Sequence, residues 1–186
     1  MPIFLMNLPN WITFSRLLGL PLLFVLLPSP DAPTRWWGVM VFVLAASTDW
    51  LDGYLARRLN QVTELGKFLD PLVDKLLVLG PLIILVGWQR LPPWGVGIIL
   101  ARELTIAGWR VNPQLAGQGT IAGANRWGKI KTLSQITAIA WLLAPLPPPY
   151  SSMGLPIFWG AVILTVISGL IYVLPIGLLG RPISRP

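Results

Sequence analysis

The sequence predicts an all-α integral membrane protein, six transmembrane helices forming one bundle. Three observations predict it. The chain of 186 residues is 54% hydrophobic and 11% charged, with a mean hydropathy of +0.69, whereas a soluble domain carries about 25% charged residues. Several apolar runs approach or exceed the ~18–20 residues that cross a hydrocarbon core. Basic residues gather at alternate ends of those runs, as orientation in a membrane requires. The length fits a single domain over residues 1–186.

Each element carries its own signal. Met1 to Pro9 is short and apolar, and Pro2 and Pro9 argue against a long helix, so an interfacial segment over residues 1–9 is expected. It has no basic region, and Arg16 interrupts the next apolar run, so no cleaved signal peptide is expected. Span one runs from about Trp11 to Leu27 and closes at the turn signal Pro28-Ser29-Pro30. Span two runs from about Arg35 to Leu59. Span three begins near Lys67 and ends near Trp88, before Leu91-Pro92-Pro93. Span four runs from about Trp94 to Arg110, and a polar, Gly-rich connector, Asn112 to Asn125, follows. Span five covers about Trp127 to Leu143 and stops at Pro145-Leu146-Pro147-Pro148-Pro149, and span six covers about Leu155 to Leu179. There is no internal repeat.

Charge orients this arrangement. One side holds Arg57, Arg58, Lys67, Lys75, Arg110, Arg126, Lys129, Lys131, Arg181 and Arg185, and the other only Arg35 and Arg90, which puts both termini toward the cytoplasm. Trp11, Trp36, Trp37, Trp88, Trp94 and Trp127 fall near span ends, as interfacial anchors do. The net charge of +7 thereby has a membrane explanation. Basic-aromatic interleaving of a nucleic-acid surface is absent, and no nucleic-acid partner is expected.

Absences narrow the chemistry. The chain has no Cys, which removes disulfides, Fe–S clusters, thiolate zinc sites and a Cys nucleophile. It has no His, the commonest general base and transition-metal ligand. A bound metal must be held by oxygen, which favours Mg²⁺, Mn²⁺ or Ca²⁺.

Seven acidic residues are present, and four of them, Asp49, Asp52, Asp70 and Asp74, sit within the predicted spans two and three. An ionised side chain at membrane depth costs about 2.5–3.5 kcal/mol on the mildest insertion scale, so such a cluster marks function. Asp49, Asp52, Gly53 and Ala56 share one helical face by spacing, and Asp70 and Asp74 share another. With Leu59 to Gly66 as a short connector, the two helices form a hairpin whose acids meet at about 6–15 Å from the turn. Four anions repel, and two divalent cations supply matching charge. Two-metal sites clamp phosphoryl oxygens. With no His, the base must be a carboxylate or a Lys, and Asp74 is the natural candidate. Gly53 and Ala56 fit either close ligand approach or tight helix packing. The competing reading of the acids is ion pairing with Arg57, Lys67 or Lys75.

The full pattern, Asp49-x2-Asp52-Gly53-x2-Ala56-Arg57-x8-Gly66-x3-Asp70-x3-Asp74, resembles the signature of the CDP-alcohol phosphotransferases at every fixed position. The resemblance implies six transmembrane helices, a homodimer, and a cytoplasm-facing pocket with two divalent cations, Mg²⁺ or Mn²⁺. It implies Asp49, Asp52, Asp70 and Asp74 as metal ligands, with Asp74 also deprotonating the acceptor hydroxyl. Gly53, Ala56, Arg57 and Gly66, with Asp52, would line the CDP-lipid site.

The acceptor is read outside that signature. Arg102 is a second charge within a span, with Glu103 beside it, and a guanidinium fork matches phosphate oxygens. An ion pair to a signature Asp is its competing reading. Lys129 and Lys131 open span five, with Arg110 and Arg126 nearby, which suggests an acceptor carrying phosphate. The segment Gly123 to Lys129 imitates a phosphate loop, but Ile130 stands where Ser or Thr is needed and no strand precedes it.

Asn7 to Arg16, Ala101 to Leu104 and Gly128 to Thr132 resemble the branch of the family that forms phosphatidylglycerophosphate, in its bacterial and especially cyanobacterial versions. That resemblance implies transfer from CDP-diacylglycerol to glycerol 3-phosphate in the bacterial cytoplasmic (inner) membrane, among membrane lipids. Asn10, Thr13 and Arg16 would hold the CDP-lipid, and Arg102, Arg110, Lys129 and Lys131 the acceptor phosphate. Inositol, inositol phosphate or serine are alternative acceptors within the family. A cation transporter using the acids as an ion path is the alternative of another class.

Overall fold

The computed structural model describes residues 8–29, 31–58, 64–111 and 122–179, with side chains described for 13–29, 31–48, 69, 71–108 and 128–171. Among these residues the chain is all helical. It forms α1 (Leu8–Leu26), α2 (Ala32–Arg58), α3 (Glu64–Gly87), α4 (Pro93–Val111), α5 (Ala122–Leu143) and α6 (Gly154–Leu179), with a 3₁₀ turn at Tyr150–Met153 before α6.

These helices follow the six predicted spans, with two departures. Leu8 and Pro9, expected in the interfacial segment, belong to α1. A proline is tolerated in a first turn because its missing N–H would have no intrahelical partner there. Residues 122–125, expected in the polar connector, begin α5, so Gly123 lies inside a helix. The rest of the expected interfacial segment and connector, residues 1–7 and 112–121, lies outside the described residues.

Local chemistry sets the helix ends. Asp31 caps α2: its Oδ2 accepts from the Thr34 backbone N–H at 2.9 Å and its other carboxylate oxygen accepts from the Ser29 hydroxyl. The Ser29 hydrogen bond, followed by those from Thr34, holds the exposed Asp31 carboxyl down at about 2. α3 ends in a Schellman arrangement, with Gln89 N–H bonded to Val86 O at 2.9 Å and Arg90 N–H to Leu85 O at 3.0 Å. The residue carrying the left-handed backbone there is Gln89, at φ 59°.

α1 packs against α2 and α3, α5 runs along α6, α4 leans on α6, and α5 also touches α2 and α3. Glycines mark several close approaches. A Cβ on Gly38 would lie 2.7 Å from Leu27 at the end of α1, one on Gly80 2.9 Å from Leu20, and one on Gly95 2.9 Å from Phe158 of α6. Small residues at crossings are how helices approach in a lipid setting. The core joins Leu23, Leu27, Phe42, Leu82, Leu85, Ile99, Ile139, Leu143 and Phe158. These come from late α1, early α2, late α3, early α4, late α5 and early α6. This core draws on all six helices.

Large apolar side chains also face outward on every helix, including Leu18 (72% exposed), Trp37 (63%), Ile83 (60%), Leu104 (56%), Leu133 (67%) and Ile163 (58%). Within α6 and the preceding turn, Tyr150–Ile171 is long and apolar enough to cross a membrane.

Candidate active site

The signature is divided between two neighbouring helices. Asp49, Asp52, Gly53, Ala56 and Arg57 lie toward the C-terminal end of α2, and Gly66, Asp70 and Asp74 toward the N-terminal end of α3. These two helices touch, and α1 packs against both. The side chains of Asn10, Asp49, Asp52, Ala56, Arg57, Asp70 and Arg110, and the surroundings of Gly53 and Gly66, lie outside the described residues. Of the four acids, Asp74 is the one whose side chain is described. Pro71, inside α3 between the two acids in sequence, has no N–H, so the carbonyl of residue 67 lacks its usual intrahelical donor.

Asp74 meets α1. Arg16 Nη1 donates to Asp74 Oδ1 at 2.5 Å, with the Arg16 side chain 1% exposed and the Asp74 side chain 39% exposed. Thr13, one turn before Arg16, is buried on the same face. A guanidinium without water needs a carboxylate or equivalent acceptors, and α3 supplies one. The sequence suggested that Thr13 and Arg16 serve the CDP-lipid. The structure buries both, and bonds Arg16 to the expected base itself. The Asp74 carboxyl is partly exposed, which a substrate hydroxyl needs to reach it.

A second polar cluster joins α4, α5 and α6. Glu103 Oε1 accepts from Arg102 Nη1 at 3.2 Å and forms an ion pair with the ammonium of Lys131, which is buried. Arg102 Nη2 also donates to Ser168 Oγ at 3.0 Å. Its stem crosses Gly169, where an added Cβ would lie 3.2 Å from Arg102 Cγ. The Nε of Arg102 is buried and has no hydrogen-bond acceptor among the described residues. Among the described residues the cations here outnumber the one carboxylate, so the cluster is net positive and suits an anionic ligand.

Of the expected acceptor-binding residues, the structure unites Arg102 and Lys131. Lys129 is exposed rather than buried beside them, because residues two apart on a helix point to different sides. Arg102 pairs with its neighbour Glu103 rather than with a signature Asp. Glu103, Ser168 and Gly169 were not singled out as site residues from the sequence. The available signal was that Glu103 is an acid outside the signature yet inside a span, and a buried acid demands cations.

These observations define an all-helical bundle with the acid signature shared by two touching helices, and the chain belongs to a known family. The family profile described as CDP-alcohol phosphatidyltransferase matches residues 6–167. It is a family of membrane-bound transferases. Individual relatives are more specific. The chain is 42% identical over 181 residues to a protein of Bacillus subtilis (strain 168), covering 88% of this chain and 91% of that protein. It is 38% identical over 174 residues to one from Pseudomonas fluorescens, covering 89% and 84%. It is 35% identical over 171 residues to one from Salmonella choleraesuis (strain SC-B67), covering 89% and 92%. Each of these relatives is named CDP-diacylglycerol–glycerol-3-phosphate 3-phosphatidyltransferase.

Proposed function

We propose that this chain transfers the phosphatidyl group of CDP-diacylglycerol to the hydroxyl of sn-glycerol 3-phosphate, giving phosphatidylglycerophosphate and CMP for phospholipid biosynthesis. The observation that carries this reading is the complete signature from Asp49 to Asp74 on two packed helices, in a chain whose relatives are named for this reaction.

Asp74 takes the proton of the acceptor hydroxyl. The freed oxygen bonds to the phosphorus that carries the lipid as the bond from that phosphorus to the CMP oxygen breaks, and CMP leaves. Arg16 fixes the position of the Asp74 carboxylate. Arg102 and Lys131, with Arg110 and Lys129 nearer the cytoplasmic rim, bind the acceptor phosphate. Asn10 and Thr13 on α1, with Gly53, Ala56, Arg57 and Gly66, hold the CDP-lipid.

The donor set fits hard divalent cations, being all oxygen in a chain without His or Cys. Asp49, Asp52, Asp70 and Asp74 would hold two, Mg²⁺ or Mn²⁺. Such ions, when bound, neutralise pyrophosphate charge and stabilise the developing charge on its oxygens.

The chain spans the bacterial cytoplasmic membrane six times, with both termini and the acids on the cytoplasmic side, and works as a homodimer. Outward apolar side chains on all six helices support the spanning arrangement, since a soluble surface rarely exposes so much apolar area. The distribution of basic residues supports the orientation.

Asp74→Asn tests the mechanism. Asn keeps an oxygen that can accept from Arg16, so the fold is expected to survive and CDP-diacylglycerol still to bind. CMP release should fall by roughly 10²–10⁴-fold. Near-normal turnover in this variant removes Asp74 from the role of base.

A further inference from the structure

Arg35 and Arg90, the two basic residues assigned to the side opposite the acid signature, converge on one cleft. The cleft, of about 350 Å³, is lined by Pro28, Ser29, Arg35, Trp88 and Arg90. The guanidinium carbons of Arg35 and Arg90 lie 4.8 and 5.4 Å from the centre of the Trp88 ring, within cation–π range. Arg35 Nη2 donates to Leu143 O at 3.1 Å and Arg90 Nη1 to Leu142 O at 2.6 Å, so both cap the C-terminus of α5.

Capping does not account for the whole arrangement. A guanidinium has five N–H donors, and each of these spends one on a carbonyl. The Nε of Arg35 is buried with no acceptor. Among the described residues neither arginine has a carboxylate partner, and Asp31 is occupied by Ser29 and the Thr34 N–H. Two like charges therefore face one cleft without a counter-ion. The missing partner is an anion with several acceptor oxygens, which a phosphate provides to arginine forks. Exposed Trp36, Trp37 and Trp94 lie at the same end of the bundle, the depth at which aromatic belts meet lipid headgroups.

We propose that this cleft binds the phosphate of an anionic phospholipid in the leaflet opposite the active site. The proposal rests on the membrane-spanning reading above. The bound lipid would join α5 to the α1–α2 turn and the end of α3 from outside the catalytic pocket.

Native mass spectrometry of the purified full chain, from detergent doped with phosphatidylglycerol or with phosphatidylcholine, tests it. Wild type should retain one more phosphatidylglycerol per chain than Arg35→Gln/Arg90→Gln, with equal phosphatidylcholine in both. Arg90→Gln alone, at an exposed position, should weaken retention roughly tenfold. CMP release should persist in both variants, which confirms their fold independently. Equal phosphatidylglycerol retention in all three proteins overturns the proposal. So does loss of the extra lipid on adding millimolar inorganic phosphate, which would make free phosphate the ligand. Failure of the membrane-spanning reading is seen separately, as a chain that stays dispersed with neither detergent nor lipid.

Discussion

At the scale of single residues, the Arg16–Asp74 contact and the Glu103 cluster solve the same problem, that of a charge held among apolar helices. Arg16 and Lys131 are each met by a carboxylate from another part of the chain, 58 residues away for Arg16 and 28 for Lys131, while Arg102 uses its neighbour Glu103. In the Glu103 cluster the surplus positive charge is what an acceptor phosphate would use. Lys131→Met should raise the KM for glycerol 3-phosphate by roughly tenfold or more while leaving the KM for CDP-diacylglycerol within about twofold. Steady-state CMP release at varied concentrations of each substrate separates these effects, and a parallel rise in both constants would assign Lys131 to structure alone. The acids were legible in the sequence because their spacing is local to two helices. The partner of Arg16 was not, because nothing in the order of residues says that α1 packs against α3 at that register. Glu103 was legible as a charge out of place, but its partners required the approach of α5.

At the scale of elements, punctuation residues explain why the spans could be read. Pro28 to Pro30, Pro92-Pro93 and the proline run after Leu143 stand where helices stop or restart. The early start of α5 was hidden because Gly123 and Asn125 belong to the usual vocabulary of loops, yet both lie within the helix. Proline within α1 and α3 did not end those helices, since neighbouring helices pack against them on several sides. The end of α3 contains an avoidable cost. Gln89 adopts φ 59°, where a Cβ is strained. Gln89→Gly should stabilise the protein by about 0.5–1 kcal/mol, read as a rise in the thermal midpoint in detergent with unchanged CMP release. A lower midpoint would show that the Gln89 side chain contributes more than its backbone strain costs.

At the scale of the whole molecule, one core ties all six helices together. The core from Leu23 to Phe158 draws on every helix, and α2 and α3 carry the signature acids. Hydropathy made the helices legible in the sequence, and the placement of basic residues proposes their orientation. The sequence could not reveal which helices pack together, because that depends on contacts between residues far apart in the chain. The orientation predicts that Ala32→Cys, at an exposed position beginning α2, reacts with a membrane-impermeant maleimide from outside intact cells. Lys129→Cys should react only after the membrane is opened. The absence of native Cys makes each label specific, and the reverse pattern would invert the topology.

The central claim is that this site moves a phosphatidyl group onto glycerol 3-phosphate. It is tested most directly by CMP release from CDP-diacylglycerol by the purified chain with Mg²⁺ or Mn²⁺, across glycerol 3-phosphate, inositol, inositol phosphate and serine. The account predicts turnover that requires the metal and strongly prefers glycerol 3-phosphate. Faster turnover with inositol phosphate or serine would contradict the acceptor assignment, and ion flux without CMP release from any of them would contradict the chemistry itself.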